Sequence, residues 1–429
     1  MEKIKLLSLF SGIGAFEKAL ENIDIEYELV GFSEIDKYAI ESYSAIHGVS
    51  TDLNLGDISK IKSDDIPKAD LITYGFPCQD ISVAGLGRGI VEGETRSGLL
   101  FDALRIIKEK KPKYAIAENV KNLVGKKFKD DFNSLLEELD SYGYNNYWQV
   151  LNAKDYGIPQ NRERVFVVSI RKDVDKGYEF PKPFDNGLRL KDLLEDEVED
   201  KYYIDNDRTS ILLSNLKDKN LLNGERFGAD STVNDTDKRE ISNCIIARYD
   251  AGIVNQKQVG MVIAEPIIVA SRGRNPSNPS DRTVGSPTEQ RLEPNTQGIT
   301  NTLTTVQKDN LVLEPKRLGG LYDTDTKRRQ AGAVWDQKNI APTIDTCQGG
   351  HREPLIVENA YRVRKLTPKE CFRLMGFEND DYWKARVRLE KVFYNGNDRS
   401  NSQMYKMAGN SIVVDVLEGI LKNLILKDQ

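Results

Sequence analysis

LFSGIGAFE, residues 9–17, stops a short apolar run at a glycine-rich turn and restarts the chain in a helical pattern. The run before it, LLSLF (6–10), reads as a buried strand, and AFEKALENI (15–23) reads as the helix that follows. Glycines at such a strand-to-helix turn let backbone N–H groups meet a ligand closely. Turns of this kind are common in α/β proteins, so the meaning of this one depends on its surroundings. Outward from it the same rhythm repeats: YELVGFSEI then KYAIESYSAIH, ADLITYGF then SGLLFDALRIIKEK, KYAIAENV then FNSLLEELDSYG, and last RVFVVSI. Alternation of strand and helix to about residue 180 predicts an α/β fold with a doubly wound, mainly parallel sheet. Gly12, Gly14, Gly75, Pro77 and Gly143 punctuate it, and ligand sites belong at the strand ends.

After Pro181 and Pro183 the rhythm ends, and the text to about residue 360 is rich in Asn, Thr, Ser, Gly and Pro with short β-like runs. A second, smaller, β-rich domain is expected there. It opens acidic, in LKDLLEDEVEDKYYID (190–205), yet residues 241–352 carry 14 Lys and Arg against 11 Asp and Glu. That local excess favours anions although the whole chain has a net charge of −6. Three loosely similar units, SNCIIARYDAG with EPIIVA, TNTLTTVQKDN with LVLEP, and APTIDTCQGGHRE with PLIVE, each read as a β-hairpin. They are either a stack of hairpins offering loops to a nucleic-acid groove or a small β-domain with ordinary hairpin grammar.

Composition narrows the chemistry. With 429 residues, 39% hydrophobic and 30% charged, and no apolar run of about 18, the chain reads as a soluble protein of two or three domain-sized units. MEKIKLLSLFSGIG lacks a signal-peptide pattern, so cytoplasmic residence is expected. Cys78, Cys244, Cys347 and Cys371 show no zinc or redox spacing, and His47 and His351 are too few for a His-based metal site or triad. Catalysis must rest on other groups.

Glu34 follows Gly14 by 20 residues at the end of the second strand, and Asp57 follows Gly56 at what reads as the end of a third. Carboxylates so placed can accept hydrogen bonds from ribose hydroxyls, which suits a nucleoside-containing cofactor; the plainer reading is that each caps a helix. In GFPCQDIS (75–82) Cys78 sits behind Pro77 in a turn after an apolar strand. A thiol there can serve as an exposed, acidified nucleophile, though a lone cysteine is also at home as a small buried hydrophobe. AIAENV (115–120) ends another strand in Glu118 and Asn119, and YGIPQNRER (156–164) supplies Gln160, Arg162 and Arg164. Alternate arginines on an extended segment point the same way and can hold a base, a phosphate or a carboxylate.

These stretches together resemble the bacterial cytosine-C5 DNA methyltransferase family of restriction-modification systems. FSGIGAFE resembles its cofactor glycine motif, GFPCQDIS its proline-cysteine motif, ENV its glutamate motif and QNRER its paired-arginine motif. RKLTPKECFRLMGF (364–377) and GNSIVVDVL (409–417) resemble its two terminal motifs, in the expected order, while Ala15 stands where the family often has glycine. The resemblance implies a Rossmann-like domain of residues 1–185 plus 409–429 that binds S-adenosylmethionine, and a target-recognition domain of residues 186–408. It implies Cys78 as nucleophile at cytosine C6, Glu118 as the acid at N3, Arg164 on the base's O2 and Arg162 in support. It places the cofactor among Phe10, Gly12, Ile13, Gly14, Glu34, Ile35, Asp57, Ile58, Pro77, Leu100, Asn410 and Ser411. The target base would be flipped from double-stranded DNA, the enzyme's partner, and covered by the loop 82–98, with Gln79, Ser82 and Arg88 on the DNA. Arg272, Arg274, Arg282, Arg328, Arg329 and Arg352 form the set expected to read bases or hold phosphates. The expected enzyme is a monomer that needs neither metal nor membrane. A tRNA-directed member of the family and a DNA-binding regulator without catalysis are the alternatives; the long middle region argues against the first and the intact motifs against the second.

Overall fold

The structure, a computed structural model, describes residues 3–77, 81, 90–91, 93, 96–203, 245–246, 260–261, 267–275, 289–295, 300–301, 311–315, 334–336, 355–357 and 361–426. It divides into two compact units, residues 1–194 with 299–306 and 367–429, and residues 195–298 with 307–366.

The first unit is built on a six-stranded sheet. β1 (Ile4–Leu9), β2 (Tyr27–Ser33), β3 (Leu71–Tyr74) and β4 (Tyr114–Val120) run parallel, and β5 (Tyr144–Asn152) and β7 (Glu163–Arg171) close the order β2-β1-β3-β4-β7-β5 antiparallel, with the two-residue β6 (Gln160–Asn161) outside it. The central strands are apolar over most of their length because both faces are covered. Leu7, Leu9, Ile72, Tyr74, Ala115, Ala117, Val165 and Val167 share one buried cluster with residues of α3 (Leu100–Lys110) and α4 (Lys129–Ser141). On the opposite face α1 (Ala15–Asn22) packs against the helix Val414–Leu421, and α2 (Lys37–His47) packs against the helix Asn379–Phe393. Local chemistry sets the ends: Asp36 caps α2 by accepting from Tyr38 N at 3.0 Å, and Gly48 stops it in the left-handed region. Thr367 and Glu370 make a reciprocal capping box around Pro368, which starts the helix Pro368–Arg373.

Four expectations change. β5 is absent from the sequence reading: YNNYWQVLN is asparagine-rich and weakly alternating, and among the described residues it is held as an edge strand by β7 alone. Asp57 does not end a third strand; it caps a single 3-10 turn, Ile58–Lys60, and the third strand begins at Leu71. The chain rejoins the first unit at Thr367 rather than at 409, because the helices from Pro368 to Asn410 carry buried faces, including Phe372, Met375, Leu389 and Met404, that pack with that unit. The apolar runs of the middle region do form strands, but not paired as read. In the second unit IIVASRGR (267–274) lies between 289–295 and 311–315, both antiparallel, and 311–315 pairs with 361–365. LIV (355–357) runs parallel to VWD (334–336), and residues 245–246 pair with 260–261. Strands as apolar as IIVA and LVL take a neighbour on each side, which hairpins alone cannot supply.

Among the described residues no helix is long and apolar enough to cross a membrane.

Candidate active site

The site forms where the first unit's parallel strands end. β1 runs into Phe10, which adopts a left-handed backbone (φ 54°), and Gly12 (φ 56°) and Gly14 (φ 80°) complete the turn into α1. A left-handed Phe holds about 1–3 kcal/mol of strain, which the surrounding turn must hold in place. Gly12 N donates to Glu34 Oε2 at 2.9 Å, and Ile35 N and Asp36 N donate to Oε1 at 2.7 and 2.8 Å. The turn and the end of β2 are thereby locked by one carboxylate. Burial pushes the Glu34 carboxyl up against the pull of these backbone donors. Asn54, which the sequence reading passed over, holds Glu34 from behind: it accepts from Glu34 N and donates to Glu34 O, both at 3.1 Å. Ile35 beside it is 74% exposed, an apolar plate against solvent. Ile13 and Ile58 are buried, Asp57 accepts from Ser59 N and Oγ, and Leu100 belongs to the buried cluster beneath α3.

The second half of the site lies at the ends of β3 and β4. Glu118 Oε1 is 2.9 Å from Arg164 Nε, an ion pair whose angle falls short of a hydrogen bond. Burial raises the Glu118 carboxyl more than the charges of Arg164 and Arg162 lower it, so the protonated acid is favoured relative to a solvated glutamate. A Cβ built on Gly75 would sit 3.7 Å from Glu118 Oε2 and 3.8 Å from Ile412 Cδ1. The strand end that leads to Pro77, the acid, and the 409–417 stretch therefore meet at one point. Asn119, buried next to Glu118, donates to Phe76 O at 3.0 Å, and Ser97 Oγ donates to Pro77 O at 2.8 Å. Both brace the segment that enters Cys78. Arg162 is buried and donates to the carbonyls of Ser411 at 2.5 Å and Gly409 at 3.3 Å. It ties the paired-arginine stretch to the chain's last motif. Ser411 is buried and Asn410 exposed at the end of the helix Asn401–Asn410. An unforeseen brace comes from Thr300–Asn301, which adds a parallel strand to Gln160–Asn161 just before Arg162.

Cys78, Gln79, Ser82, Arg88, Arg282, Arg328, Arg329 and Arg352 lie outside the described residues. Arg272 and Arg274 lie on the strand 267–274, in register with Arg291 and Glu289. Among the described residues no group of three or more His, Cys, Asp and Glu side chains is placed to hold a metal ion.

The chain is 36% identical over 458 residues to the orphan methyltransferase M.SPRI of Bacillus phage SPR, covering 99% of this chain and 98% of that one. It is 30% identical over 473 residues to the type II methyltransferase M2.ScrFI of Lactococcus lactis subsp. cremoris, covering 98% and 99%. The methyltransferase EhMeth of Entamoeba histolytica shares the fold, with a TM-score of 0.57 at 16% identity over all of both chains. The model of the C-5 cytosine-specific DNA methylases matches residues 4–426, and the chain belongs to that family.

Proposed function

We propose that this protein is a DNA (cytosine-5-)-methyltransferase that uses S-adenosylmethionine to methylate a cytosine flipped out of a short specific sequence in double-stranded DNA. The observation that carries the reading is the partly buried Glu118, kept acid-prone and paired with Arg164 at the strand edge that leads into Pro77 and Cys78. Residues at the other strand ends suit the cofactor. Glu34, fixed by three backbone N–H groups, retains lone pairs for ribose hydroxyls, exposed Ile35 offers an apolar face to adenine, and buried Ser11 Oγ has no partner among the described residues. Phe10, Gly12, Ile13, Gly14, Asp57, Ile58, Pro77, Leu100, Asn410 and Ser411 complete the proposed lining. When bound, the cofactor supplies an electrophilic methyl group on a sulfonium sulfur.

The chain's residues make cytosine C5 nucleophilic. The Cys78 thiolate adds to C6, a bond forms between sulfur and C6, and the electron pair of the C5–C6 double bond becomes available at C5. Glu118 holds a proton at N3 and stabilises the charge that addition sends there, while Arg164 keeps Glu118 oriented and reaches the base's O2. Arg162 fixes the loop 409–411 against this edge. After transfer the C5 proton leaves, the double bond re-forms and the thiolate is expelled. In the second unit Arg272, Arg274, Arg328, Arg329 and Arg352, with Arg282, are the proposed base- and phosphate-reading set. Incubation with methyl-labelled S-adenosylmethionine and either duplex DNA or tRNA tests the reading: label in DNA supports it, and label in tRNA alone refutes it.

A further inference from the structure

In the sequence His47 is one of too few histidines for a metal site or triad, yet it lies directly beneath the glycine turn. Its side chain is fully buried. Nδ1 is 2.8 Å from Glu21 Oε1 and Nε2 is 3.0 Å from the carbonyl oxygen of Ile13. The turn rests on the ring itself: a Cβ built on Gly14 would collide with His47 Nε2 and lie 2.7 Å from Cδ2. A carboxylate and a peptide carbonyl are both acceptors, so both bonds can exist only if both ring nitrogens carry hydrogen. The geometry therefore describes an imidazolium.

We propose that His47 is the positioning residue of the cofactor turn, an imidazolium clamped between Glu21 and Ile13 O whose proton sets the turn's affinity for S-adenosylmethionine. This rests on the cofactor reading above and deepens it. Loss of the proton leaves one ring nitrogen with a lone pair facing an acceptor, either at Ile13 or at Glu21. The first outcome releases the carbonyl that fixes the turn between Gly12, held by Glu34, and Gly14, which donates to Ser11 O at 2.9 Å. The second leaves a buried carboxylate edge facing a lone pair beneath the same turn.

The charged surroundings favour the cation. Facing His47 are Glu17 and Glu21 from α1 and Tyr43 from α2; around Glu21 stand Tyr27 of β2, Lys18 and Lys384, and Lys18 is held in turn by Glu378 and Asp381 at the start of the helix Asn379–Phe393. Glu17 is fully buried; Tyr43 OH donates to its Oε1 at 2.8 Å, and its Oε2 has no hydrogen-bond partner among the described residues. Tyr27 OH donates to Glu21 at 2.9 Å, while Lys18 turns away to Asp381 at 3.0 Å. Burial opposes the charge on His47, but the Glu21 bond and the Glu17 and Glu21 charges outweigh it and hold its pKa above the ordinary value. Linkage then demands reciprocity: if the protonated ring favours the cofactor-binding turn, cofactor binding must raise the affinity of His47 for its proton.

His351 is the only other histidine in the chain, so a His351→Gln background leaves one imidazole to observe. In ring-labelled protein the His47 resonance is titrated by NMR with and without S-adenosylhomocysteine. In parallel, S-adenosylhomocysteine affinity is measured by calorimetry from pH 6.5 to 9 in that background and with His47→Gln added, which carries the ligand's own titration as a control. The expected result is a His47 pKa that moves up on binding, and an affinity loss with rising pH, roughly fivefold or more, that is absent with Gln at 47. Binding with an unmoved His47 pKa overturns the inference and leaves the cofactor reading intact. No binding at any pH overturns both.

Discussion

A thiol attacks only in its ionised form, and this separates the cysteines. Cys371 is buried in the helix Pro368–Arg373, and desolvation, with the neighbouring Glu370, pushes its thiol far above the range in which it ionises. Cys371→Ala is therefore expected to keep most methylation and Cys78→Ala to keep none, read by label transfer to duplex DNA. Glu118→Gln retains the shape but removes the acid; a loss of roughly 10²- to 10⁴-fold in turnover is expected, with cofactor affinity unchanged. Loss of cofactor affinity instead would make Glu118 a structural residue. For His47 the sign of linkage is fixed by its raised pKa. Its stabilising contribution is complete below the unfolded value of about 6.5 and is lost as pH rises through the folded value. Denaturant titration should show the parent losing more stability than His47→Gln across that window. At this scale Gly12 and Glu34 were legible because turn and carboxylate recur at a fixed spacing, and the structure joins them at 2.9 Å. His47 was not legible, since its meaning lies in meeting a carbonyl 34 residues away.

Elements were readable where burial is two-sided. The parallel strands and their helices announce themselves as apolar runs, whereas β5 has one strand neighbour and a half-exposed Asn-rich sequence that carries little β signal. The final helix shows how an element can carry a cost for its position. Asp415, in the first turn of Val414–Leu421, is raised to about 7, first by burial and then by the charge of Glu418, and its Oδ2 fills the space above Gly376. Between the unfolded value of about 3.9 and 7 the folded chain keeps a proton that the unfolded chain has lost, so stability falls as pH rises through that interval. Asp415→Asn should therefore stabilise the protein at pH 8, by something on the order of 2–4 kcal/mol, and leave it unchanged at pH 4. Thermal melts at the two pH values check this; an equal shift at both would mean that packing, not charge, decides the site.

For the whole molecule, the first unit is assembled from three separated stretches of chain. The last motif alone places the boundary at 409, but buried faces from 368 onward bring the return forward, and Thr300–Asn301 joins β6 from the middle of the second unit's sequence. Nonlocal pairing of that kind leaves no periodicity to read. The central claim is covalent catalysis by Cys78 on a base activated at Glu118, and duplex DNA carrying 5-fluorocytosine at the target tests it most directly. Fluorine at C5 cannot leave as a proton, so the enzyme cannot be expelled after methyl transfer. The account predicts a denaturant-stable protein–DNA adduct in the presence of S-adenosylmethionine, and none with Cys78→Ala. Failure to trap the parent protein, or equal trapping of the Cys78→Ala variant, would contradict it.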